Sequence, residues 1–329
     1  MDDALRQWTE EQLGRIAGAG MAGRWQSLRV EASHRRFFRM TWHAGGREGS
    51  FVAMSSPPDR ENNGQFLALA ELFARHRIGV PKLLAADEAR GRFLMSDLGD
   101  VHFEDVYRQR GPGAVLPGAL ETLHRLQQIR DPRVPPYTRA RFEMELDIYV
   151  TWCLGHLLDT EPPAALGETF ARLVEATEAQ PTCCVHRDYH CRNLLLTPEG
   201  TVGVVDFQDA LMGPATYDLA SLLRDCYYRF PESDVARWRE AYLAGTSLDV
   251  ERARFARDLD FTGLQRQLKA VGIFARLFLR DRRETHLPHI VPVLGRIGEL
   301  AARYPQLAAL AEHVAAVLPL VRARLGAAP

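Results

Sequence analysis

The sequence predicts an α+β protein of two lobes, a small N-terminal lobe on an antiparallel sheet and a larger, mainly helical C-terminal lobe. Three observations carry this. Short apolar runs separated by turn residues dominate the first hundred residues, and apolar residues at helical spacing dominate from about residue 102. A chain of 329 residues also exceeds what one small core accommodates. The lobes are expected at 1–97 and 98–329.

The elements follow in order. Leu5, Trp8, Leu13 and Ile16 lie at near-helical spacing and predict a short amphipathic helix. Leu28-Arg29-Val30 and Phe37 to Trp42 flank the polar turn Ser33-His34-Arg35-Arg36, and Phe51 to Met54 follows Gly45-Gly46, which predicts three short strands. Pro57-Pro58 ends them. Phe66, Leu69, Ala70 and Phe73 then stand at i, i+3, i+4 and i+7 of a helix. Val80 to Leu84 and Arg92 to Met95 read as two more strands, leading to Asp97-Leu98-Gly99-Asp100 as the crossover. Beyond it, Phe142, Leu146, Tyr149 and Cys153 form one helical face and Leu264, Leu268, Val271, Ala275 and Phe278 another.

Composition narrows the function. The chain is 46% hydrophobic and 25% charged, with a formal net charge of −1, so no overall field recruits nucleic acid or an anionic membrane. Nearly all its positive charge is arginine; the lysines are Lys82 and Lys269. Met1-Asp2-Asp3 is acidic where a secretory leader is basic, and the apolar C-terminal stretch is interrupted by Glu312, His313 and Pro319, so no membrane span is expected. Five cysteines without paired zinc spacing fit a reduced cytoplasm. No segment points to an obligate protein partner.

The chemistry lies in Val185-His186-Arg187-Asp188-Tyr189-His190-Cys191-Arg192-Asn193, followed by Val202-Gly203-Val204-Val205-Asp206-Phe207. Asp188 and Asn193 share a loop between apolar runs, and a hairpin-like path returns Asp206 beside Asn193. An amide oxygen and a carboxylate are hard ligands that suit Mg²⁺, which takes its remaining ligands from water and phosphate. A further carboxylate off the metal, Asp188, accepts a hydroxyl proton. Phosphoryl transfer asks for this set: the triphosphate held, its charge neutralised and the acceptor oriented.

His186-Arg187-Asp188, four residues, Asn193 and then Asp206-Phe207 resemble the catalytic loop and metal-binding turn of the protein-kinase-like superfamily. Gln208 follows where protein kinases have glycine, the Ala-Pro-Glu signature is missing, and Gly213-Pro214-Ala215-Thr216-Tyr217-Asp218-Leu219-Ala220 stands instead. That combination is similar to the aminoglycoside-phosphotransferase family of small-molecule kinases. Ser33, Arg36-Phe37-Phe38-Arg39, Pro57-Pro58 and Asp206-Phe207-Gln208-Asp209-Ala210 further resemble its anomeric amino-sugar kinases, which act on N-acetylmuramate and N-acetylglucosamine in cell-wall recycling. The resemblance implies a bilobal protein-kinase-like fold, ATP and Mg²⁺ as cofactors, and a small sugar acceptor.

It also implies roles. Asp218 supports the catalytic loop, His186 braces it, and His190 braces it or touches substrate. Arg192 and Asp209 line the acceptor pocket, with Glu145 and Tyr149 on a helix beyond Pro135-Pro136; core packing competes as the account of Tyr149. Ser33 to Arg36 takes the place of a glycine-rich phosphate loop, with Ser33 and backbone amides meeting phosphate. The third strand lacks the lysine of protein kinases, so Arg36 or Arg39 is expected to supply the cation. Glu61 and Glu71, the candidate helix carboxylates, then read as a solvated face. Two rival functions stand: a kinase for another hydroxyl acceptor (choline, homoserine or an aminoglycoside), and a non-catalytic nucleotide-binding protein.

Overall fold

The computed structural model describes residues 2–17, 23–28, 33–44 and 47–326. In chain order the elements are α1 (Asp3–Ala17), β1 (Gly23–Ser27), β2 (Arg36–Ala44), β3 (Arg47–Ser55), α2 (Asn63–Arg75), β4 (Leu83–Asp87), β5 (Arg92–Ser96), α3 (Phe103–Arg110), α4 (Leu116–Gln127) and α5 (Arg139–Ile148). A π-helical segment, Tyr149–Leu158, continues α5 and precedes α6 (Ala164–Glu178), β6 (Thr182–Val185), β7 (Leu194–Leu196), β8 (Val202–Val204), β9 (Leu211–Pro214) and α7 (Tyr217–Leu223). Four helices finish the chain: α8 (Glu232–Gly245), α9 (Arg252–Leu279), α10 (Leu287–Ala301) and α11 (Ala308–Gly326). The chain divides into two compact units, residues 1–106 with 193–208, and residues 107–192 with 209–329.

The first unit holds a five-stranded antiparallel sheet in the order β1-β2-β3-β5-β4. Strand alternation sorts its two faces. Phe38, Met40, Ala53 and Leu94 pack against Leu5 and Leu13 of α1, with Trp8 and Trp25 alongside. On α2, Phe66 and Phe73 are buried, and Phe66 meets Phe93 edge-to-face at 5.6 Å. The α2 N-terminus is capped by Asn62, whose side chain accepts from Gln65 N at 3.0 Å.

Local corrections have physical causes. Strand β1 begins at Gly23, earlier than expected, because Trp25 supplies its inward side chain; Leu28 only extends the pairing, its N–H donating to Phe37 O at 2.8 Å. Arg29, Val30, Gly45 and Gly46, expected in strand and turn, lie outside the described residues. Ile16 is 50% exposed rather than buried on α1, where Leu5 and Leu13 do the packing. The strand expected from Val80 starts at Leu83, because Pro81 has no N–H to give the ladder.

The second unit is helical around α9. This helix is buried on most sides, with Leu264, Leu268, Val271 and Ala275 fully inside. Gly272 permits the close crossing: a Cβ there would stand 2.6 Å from the Ile148 carbonyl and the Tyr149 N. Helix α11 is long and apolar enough by composition to cross a membrane, yet it buries Leu310, His313, Val314, Val317 and Val321 in this unit. Strands β6 and β9 pair antiparallel here and frame the loop after β6.

Candidate active site

In the helical unit, the loop leaving β6 is held mainly through its backbone. Asp218, at the start of α7 and fully buried, accepts from His186 N at 2.6 Å and Arg187 N at 2.9 Å. Burial pushes the Asp218 carboxyl up to about 7, against two backbone donors that favour its charged form. Asp225, not singled out from the sequence, does the same further on, accepting from Cys191 N at 3.0 Å and Tyr227 N at 2.7 Å. Tyr189 is buried and donates its hydroxyl to Ala119 O at 2.9 Å. Arg187 has φ +79°, a left-handed conformation that non-glycine residues adopt at a cost and keep only where surroundings enforce it.

This frame presents Asp188. Its N–H donates to His186 Nδ1 at 3.3 Å, its carbonyl accepts from His190 N at 3.0 Å, and its side chain is 39% exposed. The carboxylate faces α9, with Arg266 Nη2 at 3.5 Å from Oδ1. Burial would raise the carboxyl; Lys269, Arg266, His190 and Arg187 outweigh it and hold the group well below the usual carboxylate range. Asp188 is thus an ionised oxygen base across the neutral range, backed by fixed cations.

Behind it lies a buried ion network. Glu145, 1% exposed, accepts from Arg187 Nη2 at 2.5 Å, from the Tyr137 hydroxyl and from Gln265 Nε2 at 3.3 Å, with Lys269 Nζ at 3.1 Å. Burial acts to raise Glu145, but Lys269 and Arg187 prevail and hold it at about 2. Tyr149 is fully buried, its hydroxyl paired with His313 Nε2 at 2.9 Å. Glu145 and Tyr149, expected at the acceptor pocket, are therefore interior groups: one neutralises two cations and the other packs in the core. Arg266 and Lys269 were missed. The cue was present as two cations at i, i+3 inside a helix otherwise rich in buried residues.

Other acceptor candidates lie nearer the loop. Arg192 lays its guanidinium over the Tyr227 ring at 3.8 Å and directs Nη2 to His289 Nε2 at 3.2 Å. His190 meets the same ring edge-on at 5.1 Å and His289 at 5.0 Å. An arginine stacked in this way keeps its planar fork oriented, the geometry that suits a carboxylate. Asp209 is exposed, and its carbonyl lies 3.4 Å from Arg187 Nη1.

The sheet unit carries the amide and the second acid. β7 and β8 form a hairpin with Leu194 opposite Val204, and Val205 N donates to Asn193 O at 3.1 Å, so Asp206 comes next to Asn193's strand end as the spacing predicted. The hairpin is stitched to its unit by Val204 N to Gly79 O at 2.8 Å and Leu196 N to Val101 O at 2.9 Å. Phe207 is buried and stacks on Phe66 at 5.3 Å and lies 5.7 Å from Phe73, which fixes the exposed Asp206 beside it. Asp206 itself has φ +64°. Among the described residues no group of three or more His, Cys, Asp or Glu side chains is placed to hold a metal ion. An amide and a carboxylate at adjacent hairpin ends are the hard, sparse donor set that Mg²⁺ accepts.

Arg39 sits differently from expectation. Its fork is closed on Asp97, at 2.5 and 2.9 Å, and on Gly99 O at 2.8 Å, so it anchors the segment after β5, expected as the crossover but lying within the sheet unit, rather than offering a cation. Arg36 is exposed. Ser33 donates its hydroxyl to Glu61 at 2.8 Å and accepts from Arg35 N at 3.0 Å. Glu61 is thus no solvated surface group, whereas Glu71 pairs with Arg75 one turn along α2, in solvent.

Over most of its length the chain is similar to known proteins. The N-acetylmuramate/N-acetylglucosamine kinase of Pseudomonas putida is 34% identical, over 94% of this chain and 95% of its own. The protein of that name from Pseudomonas aeruginosa is 37% identical, over 87% and 86%. Among solved structures, a choline/ethanolamine kinase family protein from Mesorhizobium loti superposes with TM-score 0.64 at 16% identity, covering 97% of this chain and 99% of that one, which shows the shared protein-kinase-like fold. The model of the phosphotransferase enzyme family, APH, matches residues 24–259, and the chain belongs to that family.

Proposed function

We propose that this protein is an ATP-dependent kinase that phosphorylates the anomeric hydroxyl of N-acetylmuramate or N-acetylglucosamine. The observation that carries the reading is the braced Asp188, ionised beside Arg266, together with the Asn193/Asp206 hairpin. The names of its relatives support the sugar. Asp188 takes the acceptor's proton as the oxygen attacks the γ-phosphorus. An anomeric hydroxyl is more acidic than an ordinary alcohol, so a carboxylate held at low pKa suffices. Asn193 and Asp206 hold Mg²⁺, which when bound neutralises the phosphate charge that grows in transfer. His186, His190 and Asp218 keep the loop in place. Ser33 and the backbone beside it meet the nucleotide.

In this reading residues 1–97 serve the nucleotide, and residues 98–329 supply the catalytic loop and acceptor pocket. Arg192 and Asp209 line that pocket. The Arg192 fork suits the carboxylate that N-acetylmuramate carries and N-acetylglucosamine lacks, so Arg192→Met lowers kcat/KM more for the acidic sugar. Its partners are small molecules alone, and its free cysteines and use of ATP fit the cytoplasm.

Incubation with Mg-ATP and N-acetylglucosamine, followed by product NMR, tests the assignment: the phosphate is expected on C1. Parallel assays with choline and kanamycin decide the rival acceptors, and preference for either overturns the sugar reading. No ATP turnover with any acceptor would favour the non-catalytic alternative.

A further inference from the structure

We infer that Arg35 is the cation this chain sets against the phosphates of its nucleotide, with Glu61 as its partner, in place of a strand lysine. The inference rests on the kinase reading, in which the phosphate charge must be met by a held cation. The last five residues of β3, Phe51-Val52-Ala53-Met54-Ser55, offer none. Lys82 is exposed just before β4, the last strand of the sheet. Arg39 is spent on Asp97 and Gly99. Arg36 alternates with Phe38 and Met40, whose side chains pack toward α1, away from α2.

Arg35 is placed differently from each of these. It is 3% exposed at the end of the Ser33-to-Arg36 turn, and its guanidinium lies over the Phe66 ring at 5.3 Å. Phe66 stacks on Phe207, the residue after Asp206, so the cation and the candidate metal ligand are attached to one aromatic column. Nε donates to Ser56 Oγ at 3.2 Å, just past the end of β3, where the sheet gives way to α2. Ser56 is held in turn by Asn63, through Oδ1 at 2.5 Å and Nδ2 at 3.0 Å.

Its counter-charge is incomplete. Among the described residues Arg35 meets one carboxylate, Glu61, with Nη2 to Oε2 at 3.5 Å, beyond good hydrogen-bonding range. The other Glu61 oxygen is taken by Ser33 Oγ at 2.8 Å and His34 N at 3.0 Å, which clamps the turn to the start of α2. A buried arginine whose single charged partner is this loose is costly to keep for stability alone, because its desolvation is repaid only by close, well-aligned charge. A phosphate repays it through the bidentate fork that a lysine lacks. Glu61 then fixes the guanidinium without cancelling it.

Calorimetric titration of the full chain with Mg-ADP and, separately, with adenosine tests this. Arg35→Met is expected to weaken Mg-ADP at least tenfold while adenosine binds as before; Arg35→Lys falls between, having charge but no fork. Glu61→Gln weakens Mg-ADP in the same direction, and KM for ATP rises in all three. Unchanged Mg-ADP affinity in Arg35→Met and Arg35→Lys overturns the inference, as does an equal loss of Mg-ADP and adenosine, which would mean the turn had merely collapsed. If thermal melts show that Arg35→Met does not fold, Arg35→Lys decides on the same two ligands. Wild-type protein that binds no Mg-ADP sinks the kinase reading itself, a separate result.

Discussion

Asp188, the proposed proton acceptor, faces charge of the opposite sign, and two of the same cations, Arg187 and Lys269, meet the buried Glu145. Asp188→Asn keeps shape and removes the charge that Arg266 faces at 3.5 Å. Turnover should fall at least roughly a hundredfold, the usual worth of a positioned general base, while Mg-ATP binding is retained. Undiminished turnover would remove Asp188 from the chemistry. Protonating Glu145 on acidification removes stability. Its carboxyl is depressed from 4.5 to about 2, so the network's contribution is complete above 4.5 and is lost as pH falls toward 2. The depression corresponds to about 3 kcal/mol. Urea midpoints measured from pH 6 down to 2.5 should fall more steeply for wild type than for Glu145→Gln. Parallel curves would show that Glu145 contributes nothing to the acid limb. None of this pairing was legible in the sequence, because Glu145, Arg187 and Lys269 lie on three separated segments and only tertiary packing brings a buried acid to two cations. The loop that carries Asp188 and the hairpin that returns Asp206 to the strand end of Asn193 were legible because their spacing is local.

At the scale of the element, the hairpin of β7 and β8 depends on how closely the chain before β4 approaches it. Gly79 makes that approach possible: a Cβ there would stand 2.2 Å from Val202 O, and the Gly79 carbonyl accepts from Val204 N. Gly79→Ala must push the hairpin away, a strain costing about 1–3 kcal/mol. Since Asp206 follows that strand closely, the variant should lose melting temperature and Mg-dependent nucleotide affinity together. A variant that melts lower yet binds as tightly as wild type would show that the hairpin tolerates displacement. Periodicity predicted most elements well, since apolar alternation and i, i+4 spacing are direct records of burial. It failed where a single backbone feature overrode the pattern. Pro81 delayed β4, Trp25 advanced β1, and the regular face from Phe142 to Cys153 gave no sign that its helix becomes π-helical at Tyr149. The side-chain direction of Arg39 was equally hidden, because its partner Asp97 comes from the distant segment after β5.

For the whole molecule, the candidate groups are divided between the two units: Asp188 belongs to the helical one, Asn193 and Asp206 to the one built on the sheet. Binding and proton transfer are thereby separable by substitution, and global stability can read the difference. A ligand that binds only the folded chain stabilises it by about 2.7 kcal/mol at a hundredfold excess over its Kd. Mg-ADP should therefore raise the melting temperature of wild type and of Asp188→Asn alike, since Asp188 is not one of the proposed metal ligands. Asp206→Asn replaces one of the two proposed oxygen ligands with a neutral amide, and its melting temperature should respond to ADP equally with magnesium or with EDTA. The comparison has a built-in control, because any general weakening of the fold by the substitution is present in both solutions and cancels. A magnesium-dependent shift in Asp206→Asn equal to that of wild type would place the metal on other groups and leave the exposed Asp206, with its strained φ of +64°, without the role that best accounts for it.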